Sequence, residues 1–363
     1  MILEKMLSAR KVPMIPDFQT KEEWEALREQ YKEILCREEY GMPVPAPESL
    51  SFEEGPIMDD DFASGYGIRY TVTAHTKVAG KEFSFPFHVI LPTTGKAPYP
   101  FFVHNDFDPG EPTRFCPIEE IVQQGVAVLR VHYKDITTDD DDFTNGLAGC
   151  LYPDGDGINR APDSPGKIQM WAWGSMRLMD YAMQCPVLDH KNGAVIGHSR
   201  LGKTALVTGM LDERFRYVIG NDSGCSGDAI TRGKSGERIY HILAAHRWFC
   251  PNYKKYCNKH DDLPFDQHML LATIAPRVLI IGSAQMDVWA DPLSQYLSIC
   301  AAAPVWKRLG AGEFPHADRR PEIGDRFGDD NLYFHMRFGQ HYLGRTDWNI
   351  YIDIIKKKME SDA

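Results

Sequence analysis

Short, continuous apolar runs separated by helical stretches most constrain what this chain can fold into. They begin after Pro100, and they lack the polar alternation of a half-exposed strand. Such runs are typical of strands buried on both faces, as in a parallel sheet covered by helices on each side. They lie at residues 101–103, 126–131, 194–196, 217–219 and 278–281. The pattern predicts an α/β fold, a three-layer sandwich with a mostly parallel central sheet.

The chain before residue 100 follows a different pattern. Charged and apolar residues recur at helical spacing over residues 22–39, and Gly41 with the prolines at 43, 45 and 47 ends that helix. Two β-rich segments at residues 66–77 and 83–91 are joined through residues 78–81. We therefore expect an N-terminal helix and hairpin that lie against one large α/β domain.

Composition excludes several classes of protein. With 363 residues, of which 43% are hydrophobic and 25% charged, the chain can bury a large core, so it is not a disordered chain, a fibre or a small disulfide scaffold. Its net charge of −11 argues against nucleic acid as a partner, because phosphate binding requires a basic surface. No apolar run approaches the roughly 18 residues of a spanning helix, so we expect no membrane partner.

The first residues bear on the compartment. Residues 1–17 carry charges and a proline where a secretory signal needs an apolar core. As written, the chain is expected to be cytoplasmic, although a mature secreted chain without its export signal would have the same pattern. The sequence does not indicate an oligomeric state.

The sharpest motif is GHSRLGK at residues 197–203. A buried strand leads directly into Ser199, small residues flank it, and residues 204–210 have helical character. This strand–turn–helix context is typical of a nucleophilic serine, and the start of the helix directs backbone N–H groups at a developing oxyanion. The motif departs from the usual G-x-S-x-G, since its second glycine is Gly202. The alternative interpretation is a serine that only caps the helix.

A serine nucleophile needs a base within hydrogen-bonding reach and an acid that orients the base. In α/β enzymes with such a serine, the chain order is serine, acid, histidine. Asp222 and Asp287 each follow a predicted strand in the required order. His341 lies just after a last predicted strand at residues 332–337 and is the expected base. Its rival, His335, lies within that strand and is expected to be packed or to support the site.

No metal site is expected from the sequence. The thirteen histidines show no H-E-x-x-H or comparable ligand spacing. Four consecutive acids at residues 139–142 follow the second predicted strand, and carboxylates do suit hard cations. Consecutive positions cannot all face one ion, so we interpret this run as a solvated loop.

Together these features resemble a known family, the glucuronoyl esterases of carbohydrate esterase family 15. The serine motif is similar to the G-C/H-S-R-x-G-K motif of that family, and the match is dense over residues 165–350. Further blocks follow in the same order: WAWG at 171–174 with DY at 180–181, DSGCSG at 222–227, WF at 248–249, LPFDQH at 263–268, IAPR at 274–277, DVWADP at 287–292, GQH at 339–341 and DW at 347–348. The resemblance implies an α/β-hydrolase fold, with an N-terminal helical extension (residues 1–60) packed on a catalytic domain (residues 61–363).

The resemblance also implies an activity. The family cleaves the ester between glucuronic acid on xylan, often 4-O-methylated, and a lignin alcohol. By position, Ser199 would be the nucleophile, His341 the general base and acid, and Arg200 a stabiliser of the oxyanion. Lys203 and Trp289 would contact sugar hydroxyls. No cofactor is needed, and the expected partner is a carbohydrate that carries a glucuronate ester.

Several residue assignments stay open. The usual acid of the family is a glutamate 23 residues after the serine, where this chain has the shorter Asp222, and other members use the position held here by Asp287. The structural alternatives are an ion-pair partner for Arg200, a surface residue for Lys203 and a core aromatic for Trp289. Fungal members carry a sugar-contacting glutamate where this chain has AAHR at residues 244–247.

The function has two alternatives as well. One is a related esterase that acts on acetylated or feruloylated sugars or on a small intracellular ester. The absence of a signal segment favours it, because lignin-linked xylan is too large to enter a cell. The other is a carbohydrate-binding protein without activity, which the presence of a serine, a histidine and two acids opposes.

Overall fold

The computed structural model describes residues 1–58, 62–155, 157, 159–242 and 247–361. Within these residues ten strands form one sheet: β1 (Ser49–Glu54), β2 (Gly67–Val78), β3 (Lys81–Pro92), β4 (Tyr99–Asp106), β5 (Ala127–His132), β6 (Leu188–His198), β7 (Tyr217–Asn221), β8 (Val278–Ala284), β9 (Arg326–Asp329) and β10 (Leu332–Arg337). Their order across the sheet is β1-β2-β3-β5-β4-β6-β7-β8-β10-β9. The strands from β5 to β10 in this order are parallel, and β1, β2, β3 and β9 add antiparallel edges. The predicted, mostly parallel sheet is confirmed.

Helices cover both faces of this sheet. Among the described residues they are α1 (Ile2–Ala9), α2 (Lys21–Leu35), α3 (Ile118–Gln123), α4 (Tyr133–Ile136), α5 (Gly146–Leu151), α6 (Lys167–Ala182), α7 (Arg200–Leu211), α8 (Ile239–Ile242), α9 (Gln267–Ala272), α10 (Pro292–Ala302), α11 (Pro304–Arg308) and α12 (Arg345–Ser361). In the described part of the chain, no helix is both long and apolar enough to cross a membrane.

Neighbouring residues of the central strands serve two separate cores. In β6, the Val195 side chain packs in the core with Trp171 of α6 and Leu206 of α7, while Ile196 packs on the opposite face with Trp348 of α12. This is the period-2 alternation of a strand that is buried on both faces. The three-layer architecture predicted from the apolar runs is therefore confirmed.

The predicted N-terminal helix is present as α2. The Thr20 hydroxyl accepts from the Glu23 N–H at 3.2 Å and the Glu23 carboxylate accepts from the Thr20 N–H at 3.3 Å, a reciprocal cap that fixes its start. The chain then makes a π-helical turn, Cys36–Tyr40, before it stops at Gly41. Gly41 has a φ of +94°, and a Cβ there would lie 2.3 Å from Pro165 Cα. The turn therefore needs glycine at this place.

The predicted hairpin is also present, as β2 and β3 with Val78 opposite Lys81. β1, which pairs antiparallel with β2 at the edge of the sheet, was not predicted from the sequence. Its sequence, SLSFEE, is mostly polar and exposed, so it lacks the apolar pattern that marked the other strands. β1 lies within residues 1–60, and the division of the chain at residue 60 stays a prediction.

Candidate active site

Ser199 lies on a sharp turn between β6 and α7. Its backbone has φ 58° and ψ −127°, a conformation that is strained for a residue with a side chain. Space requires both flanking glycines, because a Cβ on Gly197 would lie 2.0 Å from the Leu201 carbonyl oxygen and one on Gly202 would lie 2.9 Å from Ser223 Cβ. The predicted strand–turn–helix is present, and the contact with Ser223 explains why the second glycine stands at 202.

The start of α7 supplies hydrogen-bond donors beside this serine. α7 begins at Arg200, and the first N–H groups of an α-helix have no acceptor within the helix. The residue after the nucleophile is the usual backbone donor to an oxyanion in this kind of turn. The helix dipole adds positive potential at the same end. A negatively charged oxygen bonded near Ser199 would therefore be stabilised here.

His341 and Asp287 face each other from the loops that follow β10 and β8. His341 Nδ1 lies 2.6 Å from Asp287 Oδ2, and the Ala290 N–H donates to Oδ1 at 3.1 Å. Burial raises the pKa of Asp287, but the hydrogen bond from His341 and its charge lower it more, so the net pKa is below the usual value. An ionised carboxylate only accepts hydrogen bonds, so Nδ1 of His341 donates this bond, and in the neutral imidazole Nε2 is then the acceptor.

His341 lies beside His198, the residue that precedes the candidate nucleophile. The ring centroid of His198 lies 4.4 Å from that of His341. Burial and the nearby charge of His341 lower the pKa of His198 to about 3, so it stays neutral and accepts no proton in the reaction. Within the described residues, no hydrogen bond joins Ser199 Oγ to His341, and such bonds commonly tighten only when substrate is bound.

Asp222 lies close to this pair but makes different contacts. Its Oδ1 accepts from the Ala284 N–H at 2.9 Å, and its Oδ2 lies 3.3 Å from Arg337 Nη2. One oxygen of Asp222, one oxygen of Asp287 and one ring nitrogen of His341 all lie within 4.8 Å of one another. Burial and the negative charge of Asp287 raise the pKa of Asp222 well above its usual value, although Arg337 lowers it. Both predicted acids are therefore at the site, and only Asp287 is hydrogen-bonded to His341.

His335, the rival base, has a supporting place. It is buried in β10, and its Nε2 bonds to Asp347 Oδ1 at 2.8 Å. The other oxygen of Asp347 accepts from Arg337 Nε at 2.7 Å. Asp347 and Arg337 were not singled out from the sequence as site residues. The DW block at 347–348 was the one signal that pointed to this position.

The three residues with predicted roles in binding differ in exposure. The Arg200 side chain is 32% exposed and pairs with Asp139. Trp289 is 49% exposed, its ring lies 4.8 Å from that of His241, and it is therefore not a core aromatic. Lys203 is buried rather than on the surface, and its Nζ donates to the Ser223 carbonyl at 2.6 Å. The roles of all three stay predictions, and residues 244–246 of the AAHR segment lie outside the described residues.

The acidic run at residues 139–142 was only partly interpreted correctly. Asp140 and Asp141 have side chains that are 57% and 46% exposed, as expected of a solvated loop. The Asp139 side chain, in contrast, is 3% exposed. The solvated-loop interpretation is therefore wrong for Asp139, because this carboxylate turns inward to meet Arg200 and its neighbours.

Comparison with known sequences agrees with the geometry. Residues 74–310 match the model of the family described as "Glucuronyl esterase, fungi". A carbohydrate esterase from an unknown prokaryotic organism is 37% identical over 247 residues, which cover 68% of this chain and 56% of the relative. A 4-O-methyl-glucuronoyl methylesterase of Podospora anserina is 27% identical over 304 residues, 80% of this chain and 58% of the relative. The chain thus spans a little over half the length of the curated relatives it matches.

Solved structures extend the likeness to nearly the whole chain. A glucuronoyl esterase from Solibacter usitatus has a TM-score of 0.80 and 29% identity, covering 91% of this chain and 92% of the other. A promiscuous family 15 esterase from a marine bacterial metagenome has a TM-score of 0.82 and 28% identity, with 95% and 96% covered. These structures confirm the predicted α/β-hydrolase fold. With a family model matched over more than half its length and a shared fold, the chain belongs to the glucuronoyl esterases of carbohydrate esterase family 15.

Proposed function

We propose that this chain is a serine carboxylic-ester hydrolase that acts on esters of glucuronic acid. The observation that carries the proposal is the 2.6 Å contact between His341 Nδ1 and Asp287 Oδ2 beside the Ser199 turn. A serine on a strained turn, a histidine with a free Nε2 and an ionised acid behind it are what hydrolysis through an acyl-enzyme requires. The names of the curated relatives support glucuronate as the acyl part.

The reaction uses groups that follow the carboxyl ends of the strands. His341 Nε2 takes the proton of Ser199 Oγ as that oxygen attacks the ester carbonyl, and Asp287 stabilises the resulting imidazolium. The backbone N–H and the guanidinium of Arg200 donate to the tetrahedral oxyanion, and each such donor contributes roughly 3–4 kcal/mol. His341 then protonates the leaving alcohol. Finally, water activated by the same histidine releases the uronic acid from Ser199.

We assign the triad acid to Asp287 rather than Asp222. A carboxylate stabilises the imidazolium only if it is ionised and in contact with Nδ1. Asp287 meets both conditions, with a lowered pKa and a 2.6 Å hydrogen bond. Asp222 has a raised pKa, and its oxygens face the Ala284 N–H and Arg337 instead. In this assignment, Asp222 holds the loops of β8 and β10 in place beneath the histidine.

The sugar is proposed to bind between Trp289 and the start of α7. Half of the Trp289 surface is exposed, so a ring face is available to a sugar. An ammonium group has three donors. The Ser223 carbonyl accepts one donor of Lys203 and the Glu237 carboxylate lies 3.7 Å from its Nζ, which leaves one donor for a hydroxyl. The net charge of −11 is no obstacle, because esterification removes the charge of the uronate carboxylate. We propose xylan-linked glucuronate and a lignin-type alcohol as the natural ester.

An assay with two substrates tests the proposal. The wild type and Ser199→Ala are compared on benzyl glucuronate and on an acetylated xylo-oligosaccharide, with Ser51→Ala on the exposed edge strand β1 as the matched control. We expect cleavage of the uronate ester in the wild type and the control, and a loss of about 10⁴-fold or more in Ser199→Ala.

The other outcomes separate the alternatives. Release of acetate without cleavage of the uronate ester would favour the related esterase. That outcome is worth measuring because the marine metagenome relative is described as a promiscuous esterase. Turnover that survives Ser199→Ala would reject the serine mechanism. If neither substrate is cleaved but both bind, the chain is better described as a carbohydrate-binding protein without activity.

A further inference from the structure

We infer that Asp139 is a positioning residue: its carboxylate holds the Arg200 guanidinium at the place where the oxyanion forms. The inference rests on the proposed function, since it concerns the same transition state. It assigns a role to the one buried member of the acidic run, which the mechanism above does not use.

The contacts of Asp139 fix its carboxylate between the side chains of Arg200 and Arg247. Arg200 Nη1 and the Tyr133 hydroxyl both donate to Oδ2, the latter at 3.1 Å. Arg247 Nε and Trp248 Nε1 donate to Oδ1 at 3.0 and 2.7 Å. Burial raises the pKa of Asp139, but the hydrogen bond from Trp248 and the charge of Arg200 lower it more. The carboxylate is therefore ionised and saturated with donors, so it has a fixed orientation.

Aromatic rings complete the enclosure of the arginine. The guanidinium carbon of Arg200 lies 4.6 Å from the centroid of Trp248 and 5.6 Å from that of Phe107. Both contacts are within the range of a cation–π interaction. The same Trp248 also bonds to Asp139, so ring and carboxylate hold the guanidinium from two directions. The Arg200 side chain is 32% exposed and donates to Asp139 through Nη1, and in the described part of the chain no acceptor is bonded to Nη2, which keeps donor capacity for a substrate oxygen.

Charge explains why a carboxylate, and not merely a polar group, is needed at this position. Asp139 bridges two guanidinium groups, those of Arg200 and Arg247. Without the negative charge, the two cations would repel each other at short range. A neutral amide at residue 139 would keep the shape but not the attraction, and Arg200 would no longer be held toward Ser199.

The neighbouring acids supply matched controls. Asp140 and Asp142 belong to the same run, and their carboxylates make only local or exposed contacts apart from the bond that Lys167 donates to Asp140. Lys167 bonds to Asp142 through the backbone carbonyl, which the substitution keeps. We expect Asp139→Asn to lower kcat on benzyl glucuronate by about 10- to 100-fold, up to the loss seen when one oxyanion donor is removed. KM should change less than about threefold, because the interaction is made in the transition state. Asp140→Asn and Asp142→Asn should stay within about twofold of the wild type.

A double-mutant cycle separates positioning from a structural role. In an Arg200→Gln background, Asp139→Asn should lower kcat by less than about a further twofold, because the group that Asp139 positions is gone. Equal losses with and without Arg200 would show that Asp139 merely supports the fold, and no loss with Arg200 present would overturn the inference outright. If Asp139→Asn does not fold, Tyr133→Phe removes a donor to the same oxygen, Oδ2, and is scored in the same cycle.

A second readout is independent of the sugar substrate. A p-nitrophenyl alkylphosphonate labels a reactive serine: Oγ forms a bond to phosphorus, the bond from phosphorus to the aryl oxygen breaks to release p-nitrophenolate, and His341 accepts the serine proton. The rate of labelling, with Ser199→Ala as the unlabelled reference, should fall in Asp139→Asn only when Arg200 is present. If benzyl glucuronate is not cleaved but this pattern is found, the proposed substrate fails and the inference on Asp139 stands. If the rate of labelling is unchanged in Asp139→Asn, the inference on Asp139 is refuted and the proposed function is not affected.

Discussion

Asp222 and Asp287 are the same residue type, follow neighbouring parallel strands and are 1% and 3% exposed, yet their surroundings shift their pKa values in opposite directions. Asp287 faces a histidine that donates to it, and its pKa is lowered. Burial and the negative charge of Asp287 raise the pKa of Asp222, and the Arg337 guanidinium, which also bonds to Asp347, lowers it less. Burial raises the pKa of both aspartates. The histidine that faces Asp287 is what reverses the direction there.

The largest expected effect comes from removing each carboxylate in turn. Asp287→Asn should lower kcat by about 10³- to 10⁴-fold, since an amide no longer fixes the tautomer of His341 or stabilises its imidazolium. Asp222→Asn should lower kcat by less than about tenfold, because the Asp222 oxygens bond to the Ala284 N–H and Arg337 rather than to His341. Steady-state kinetics on benzyl glucuronate measure both. Equal losses in the two variants would erase the contrast between the aspartates, and the reverse order would make Asp222 the triad acid.

A rescue experiment sharpens the same contrast with a smaller effect. Asp222 is too far away to bond to His341 as it stands, although the three groups lie within 4.8 Å of one another. Glutamate is one methylene longer, so Asp222→Glu in the Asp287→Asn background should restore kcat by about tenfold or more. The matched control is Asp222→Gln in the same background, which has the length but not the charge. Equal rescue by glutamine would mean that the side chain at residue 222 contributes through its length and not through its charge.

How far the sequence predicts this site depends on the range of the contacts involved. The Ser199 turn and the placement of His341 near two candidate acids were predictable, because parallel strands place the residues after their carboxyl ends at one edge of the sheet, whereas the choice between Asp222 and Asp287 stayed open. The inward turn of Asp139 was not, since the donors to it come from residues 133, 200, 247 and 248. The burial of Lys203 is similar, because its acceptor lies in the loop after β7.

The same distinction between local and long-range contacts decides which parts of the fold could be predicted. The buried strands were predictable from their apolar runs, whereas β1 is held by backbone pairing to β2 and has little pattern of its own. Contacts between side chains that are distant in sequence leave no local signal. The role of Asp222 belongs to this class, because its partner Arg337 lies 115 residues away along the chain.

The smallest expected effect concerns Glu38 and Glu39, which are not part of the candidate active site. It tests whether neighbouring carboxylates there also have pKa values shifted in opposite directions. Glu39 is buried, and burial raises its pKa to about 7 even though Gln267 donates to it. Burial also raises the pKa of Glu38. Hydrogen bonds from Tyr256 and Lys255 lower it by more, so the net pKa is below the usual value. Two adjacent glutamates thus repeat the difference between the two aspartates.

The pH dependence of stability has an opposite sign for each glutamate. A folded-state pKa above the unfolded one contributes stability below about pH 4.5 that is lost as the pH rises through about 7. Relative to the wild type, Glu39→Gln should therefore gain unfolding free energy as the pH rises from 5 to 8, by up to about 3 kcal/mol. Its melting temperature relative to the wild type should rise accordingly. Glu38→Gln should instead lose relative to the wild type at neutral pH, because a lowered pKa stabilises the ionised form. Thermal melts at the two pH values measure both, and parallel shifts in the two variants would mean that position, not surroundings, governs these carboxylates.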